Sequence, residues 1–198
     1  AGAHDSDSTS ATRPSGGYLE TLDAGVVGLR IGVPTGFFMD PIDPQVQAAF
    51  LAAVEVIREL GAEVTTVDVS YLVGSLEAEF AIVSPEAASY HHANLCRSPE
   101  LIDPSIRAML VAGAALPSSY YLRALRWRQV IADQMRETFA GNRLDAFMTP
   151  TVPAPAQLHD QEEFAYPGGE EPVISSFVRT TAPFNLTGQP ALSGPCGF

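Results

Sequence analysis

Serine, histidine and carboxylate side chains are the groups in this 198-residue chain able to attack a carbonyl or move a proton. A serine hydroxyl is a poor nucleophile unless a positioned base takes its proton. The four histidines offer no such base in a recognisable context. His4 lies in a polar opening stretch and His159 in a proline-flanked loop. His91 and His92 are neighbours on an expected helix, so they point about 100° apart and do not chelate together. Glu55, Glu86, Asp103 and Asp145 are scattered carboxylates, read as solvated or capping groups. There is no GxSxG elbow and no HExxH, so the serine-elbow hydrolases and the zincins are not expected. All eleven basic residues are arginine. The missing lysine excludes Schiff bases, Walker A loops and a lysine base from within these residues.

Other polar features have plain readings. Gly32 to Gly36 (GVPTG) sits between a strand and a helix, but Pro34 removes a backbone donor that a phosphate loop would use. Arg123, Arg126 and Arg128 read as the solvated face of a long helix. Asn185-Leu186-Thr187 fits a glycosylation sequon by chance. Cys96 and Cys196 form no CxxC pair and read as two buried free thiols of a reducing cytoplasm. The formal charge is −12, from 11 basic and 23 acidic residues. This argues against nucleic acid and against a polybasic membrane contact. No run approaches the roughly 20 apolar residues of a membrane span. Residues 1–17 are polar, without a signal-peptide core, so a cytoplasmic location is expected.

The elements that must position these groups follow from periodicity. Residues 28–34 (GLRIGVP) read as a buried strand ended by proline. Asp43 caps a helix with Pro44 at its first position. Val46, Phe50, Ala53, Ile57 and Leu60 form its apolar stripe, and Gly61 ends it. Residues 62–69 are a second strand, parallel to the first across this helix. Residues 75–95 read as helical with an interruption near Pro85. Asp103-Pro104 opens a short helix toward Ala115. The longest helix follows Pro117 and ends at Gly141, with Tyr120, Ala124, Trp127, Ile131 and Met135 inward. Residues 144–149 are a third strand. Residues 156–171 read as a flexible surface loop, 172–181 as a short helix and 191–193 as a fourth strand. The pattern is α/β around a mainly parallel sheet.

Three blocks resemble one family. The first is Leu29 to Phe38 (LRIGVPTGFF), with Asp43-Pro44-Gln45-Val46 and Leu60 to Val64. The second is Asp145 to Thr151 (DAFMTPT), with Pro153 and Pro155. The third and most specific is Thr181 to Phe198 (TAPFNLTGQPALSGPCGF). Ala1-Gly2 with Asp5 and Asp7 is similar to the loop just after the family's signature region. In this order the blocks resemble the middle and C-terminal part of amidase signature enzymes. Gly194 departs from the pattern, which usually has a branched apolar residue there.

The resemblance implies a three-layer α/β/α sandwich around a mainly parallel or mixed sheet. It implies a single partial domain over 18–198, truncated at both ends, after a polar loop at 1–17. It implies hydrolysis of a carboxylic amide by a Ser–cis-Ser–Lys triad, with no metal and no organic cofactor. The triad belongs to a signature region upstream, so no catalytic residue is assigned here. What these residues would supply is the wall of the substrate pocket and its scaffold. Two substrate-binding positions follow from the resemblance: Phe80, ahead of Glu86-Ala87-Ala88-Ser89, and Arg107 on the next helix. The expected partner is a small-molecule amide bound by the full-length protein, with a homo-oligomer as a further possibility. Two other readings are the A chain of a tRNA-dependent amidotransferase and a non-catalytic α/β binding module. NLTGQPALS at 185–193 resembles general amidases more than the amidotransferase form.

Overall fold

The structure, a computed structural model, describes residues 3–6, 10 and 16–197. Most of the polar opening stretch, including Ala1, Gly2 and Asp7, lies outside the described residues.

Strand β1 (Arg30–Pro34), helix α1 (Pro44–Glu59) and strand β2 (Glu63–Val67) form the expected unit, with the two strands parallel. The Asp43 side chain accepts from the Gln45 amide, and α1 lies against β2 while burying Phe50 and Val54. The third strand, β3 (Ala146–Phe147), pairs parallel with the other edge of β1. The sheet order is therefore β2-β1-β3. Gly32 at its centre is required by packing. A Cβ there would stand 2.7 Å from Leu144 Cδ1 and 2.9 Å from Phe147 Cδ1.

Three long helices follow β2. These are α2 (Ser75–Arg97), α3 (Pro104–Ala115) and α4 (Ser118–Asn142). The main core joins Val67 and Val69 to Leu72 and Ala78, with Ile131 and Met135 of α4, and includes Phe38, Leu144 and Leu186. It contains no residue of α1, so α1 and α4 do not share one apolar core, which fits a layered sandwich. No helix among the described residues is long and apolar enough to cross a membrane.

Several expectations need correction. Helix α2 runs unbroken through Pro85, because a proline deletes one amide donor and the remaining ladder carries the helix. On α4 the buried positions are Ala124, Ile131 and Met135, whereas Tyr120 and Trp127 stay 55% and 40% exposed. The seam is narrower than the stripe read from spacing. Residues 156–171 are not all loop, since β4 (Glu163–Tyr166) and β5 (Gly169–Pro172) form an antiparallel hairpin. Its alternation buries Phe164 and Tyr166, which pack with Val173 and Phe177. Residues 191–193 form no strand, and both cysteines are exposed.

The chain closes with α5 (Val173–Arg179) and α6 (Ala182–Thr187). Arg179 fastens them to the sheet. Its Nη1 and Nη2 donate to the carbonyls of Phe37 and Pro41, each at 2.8 Å. Its Nε donates to Glu171 at 3.1 Å, with side chains 11% and 17% exposed. One guanidinium thus joins α5, the hairpin and the loop after β1.

The α2–α3 crossing makes a test of packing. A Cβ on Gly113 would stand 2.2 Å from the Ser84 carbonyl oxygen and 2.9 Å from the Pro85 nitrogen. Alanine gains about 1 kcal/mol of helix propensity over glycine. Forcing two backbones apart costs up to roughly 3 kcal/mol, so the clash wins. Gly113→Ala should lower the urea midpoint. Gly141→Ala, whose Cβ meets nothing within 4 Å in α4, should leave it unchanged or raise it.

Candidate functional site

Helix α2 carries the family-like Glu86-Ala87-Ala88-Ser89 run and Phe80. Phe80 is half-buried and belongs to neither apolar cluster, so it does not serve as a core residue. Beside it, Glu79 Oε1 accepts from Asn185 Nδ2 at 2.9 Å. The other oxygen, Glu79 Oε2, is buried without a hydrogen-bond partner. This contact places α6 against the turn of α2 that bears Phe80. The Thr180 hydroxyl donates to the Thr151 carbonyl at 2.7 Å, and the Thr151 and Ser193 hydroxyls are 3.0 Å apart. The second and third family-like blocks are therefore stitched together and joined to α2.

Arg107 lies elsewhere. It is half-buried near the start of α3, and its Nη1 donates to the Pro99 carbonyl at 3.0 Å. Gly113, six residues further along α3, meets α2 at Ser84 and Pro85.

The scattered carboxylates take local roles. Asp103 caps α3 by accepting from Ser105 and Ile106, and the Ser105 bonds hold its carboxyl below the usual range. Asp145 accepts from the Arg30 amide at 2.8 Å, which anchors the strand-ordering contact of β3. Glu55 pairs with Arg58 on the surface. The histidines also stay local, with His91 edge-on to Tyr90 and His92 Nε2 3.8 Å from Cys96 Sγ. Among the described residues no group of three or more His, Cys, Asp or Glu side chains gathers to hold a metal.

Glu86 has a more distinctive partner. It accepts from the Tyr121 hydroxyl at 2.8 Å across the α2–α4 groove, a hollow of about 480 Å³ bordered by Pro85, Ser89 and Tyr90. Ionising Tyr121 would break that bond and set two negative charges together, so the phenol ionises above its ordinary range. Sequence reading also missed Arg128. It is exposed like its neighbours, yet its Nε donates to the Leu186 carbonyl at 2.7 Å, tying α4 to α6. Nothing in the spacing of Arg123, Arg126 and Arg128 marks this, because the partner is a backbone atom 58 residues away. The family-like segments thus present a half-buried phenylalanine on α2, an acid–phenol pair between α2 and α4, and hydrogen-bonded hydroxyls at Thr151 and Ser193.

Known proteins resemble the chain throughout. The family model described as Amidase matches residues 1–198. An amidase of Pseudomonas putida is 37% identical over 199 residues, covering 100% of this chain and 42% of that protein. The A chain of the glutamyl-tRNA(Gln) amidotransferase of Myxococcus xanthus is 32% identical, covering 97% of this chain and 43% of that one. Among solved structures, a crystal structure of an amidase superposes with a TM-score of 0.76 at 32% identity, over 83% of this chain and 37% of that one. A 6-aminohexanoate cyclic dimer hydrolase complexed with substrate shares the fold, with a TM-score of 0.74 at 18% identity over 95% of this chain and 42% of its own. The chain thus spans less than half the length of the relatives it matches.

The Glu86–Tyr121 pair sets a pH test. Because the phenol ionises above its ordinary range in the folded state, the bond stabilises at neutral pH. That contribution is lost as pH rises beyond the ordinary tyrosine range. Removing the carboxylate charge with Glu86→Gln should bring the Tyr121 ionisation back down toward about 10. Phenolate absorbance, taken as the difference from Tyr121→Phe, reads it directly. An unchanged titration would show that Glu86 does not govern it.

Proposed function

Because the chain belongs to the amidase family, we propose that it forms the scaffold and one wall of the substrate pocket of an enzyme hydrolysing a carboxylic amide. The carrying observation is the 37% identity to an amidase along the whole chain, against 42% of that protein's length. The substrate in this reading is a small-molecule amide, and the location is cytoplasmic. Phe80 is the substrate-facing aromatic. It stands outside the apolar clusters, on the turn of α2 that α6 contacts through Asn185. Arg107 is the second proposed contact. Its guanidinium is partly engaged by the Pro99 carbonyl, so the substrate would meet its remaining donors.

Metal-free amide hydrolysis needs a nucleophile, a matched base and donors for the developing oxyanion. The family's base is a lysine, and these 198 residues contain none. Members of a catalytic triad act as a unit, so losing the base removes nearly all acceleration rather than a fraction of it. In this reading the chemistry resides outside these residues.

A second reading is the A chain of a tRNA-dependent amidotransferase, favoured by the 32% identity to the Myxococcus xanthus protein. Stable co-purification with two further chains would select it. Family membership weighs against a free-standing binding module.

The activity test is direct. The isolated chain should release no ammonia from benzamide or propionamide above the buffer blank. The full-length protein should turn over an amide, and replacing its signature lysine by alanine should reduce it to the isolated chain's level. Turnover by the isolated chain, abolished by changing one of its own serines, would overturn this assignment.

A further inference from the structure

A cleft of about 470 Å³ lies between α4 and the turn that ends α6. Leu125 and Ala132 supply its apolar surface over the nearly buried Leu186, and Arg128 and Arg136 line it as well. Arg128 and Arg136 are eight residues apart on α4, about 12 Å along the axis, with the small Ala132 between them. That spacing leaves a hollow rather than a ridge.

The two arginines are not equivalent. Arg136 pairs with Asp133 at 2.6 Å, and Gln129 Nε2 donates to both oxygens of the same carboxylate at 3.2 Å. Asp133 is thus already engaged by its own helix. Arg128 forms no ion pair among the described residues. Its Nε is committed to the Leu186 carbonyl, which fixes the plane of the guanidinium. Its remaining donors have no protein acceptor among the described residues. The Thr187 hydroxyl at the rim donates back to the Pro183 carbonyl, so it does not compete for them. A fixed, unpaired guanidinium beside apolar side chains matches a planar carboxylate on an apolar body. The carboxylate takes the fork, and the body covers Leu125 and Ala132. Arg97, Arg107, Arg123, Arg126 and Arg143 likewise form no ion pair among the described residues, but none of them lines this cleft.

We propose that this cleft binds an organic carboxylate through Arg128. Neither Phe80 nor Arg107 lines the site, and the proposal does not rest on the amidase reading, because its test measures binding and not turnover.

Calorimetric titration of the full-length protein with benzoate, and with inorganic phosphate at matched ionic strength, tests it. Benzoate should bind, and phosphate should bind more weakly because it has no apolar body. Loss of a charge-assisted hydrogen-bond pair should weaken benzoate about tenfold or more in Arg128→Gln. Ala132→Leu fills the hollow while leaving the Arg128–Leu186 bond in place, so it should weaken benzoate similarly without lowering the melting temperature. The proposal is overturned if benzoate does not bind, if Ala132→Leu binds it as tightly as the parent, or if phosphate binds as well as benzoate.

Discussion

The arrangement of the C-terminal third depends on one nearly buried guanidinium. Arg179 reaches two backbone carbonyls in the loop after β1 and the carboxylate of Glu171 on the hairpin. A buried charge is tolerated only when it is paired and its donors are used, and here both conditions hold. Without it, α5, the hairpin and the Phe37–Pro41 loop would have no common anchor. Because α6 follows α5 directly, the position of Asn185 against Glu79 is inherited from this anchor. So is the position of Leu186, which Arg128 holds from the other side. The surroundings of Phe80 are thus set by contacts made well away from it.

The sheet and its first helix are legible in the sequence because their signals are local. Asp43-Pro44 fixes the start of α1, branched residues mark β1 and β2, and the short joints force a parallel pairing. The hairpin is hidden by Pro167 and Pro172, which break the apparent run. Yet Phe164 and Tyr166 alternate inward and the Gly168-Gly169 turn supplies the positive backbone angles it needs. Pro85 does not interrupt α2, since a single proline removes one donor and does not by itself end a helix held on both sides. On α4, apolar side chains at helical spacing exceed the width of the seam that buries them, which leaves Tyr120 and Trp127 at its margin.

The site is legible by resemblance far more than by chemistry. Phe80 carries no signal in its own side chain, and its meaning comes from the motif six residues further on. Arg107 reads as a tie between α3 and the turn before it until a substrate is considered. Arg128 and the Glu79–Asn185 contact are invisible in sequence because each joins residues from distant segments.

The order of the sheet has a consequence for how the chain assembles. β1 is the middle strand, yet its two neighbours arrive at very different times. Arg30 faces Glu63 at a separation of 33 residues, but its amide meets Asp145 across 115. Closing the longer loop costs more chain entropy, and contacts of high sequence separation slow folding. The β1-α1-β2 unit can form early as a local nucleus. β3 docks only after α2, α3 and α4 have brought Leu144 and Phe147 back to the bare surface of Gly32. Until then one edge of the central strand stays open, so a nascent chain carries an unpaired strand edge while the 115 residues that follow Arg30 up to Asp145 are made.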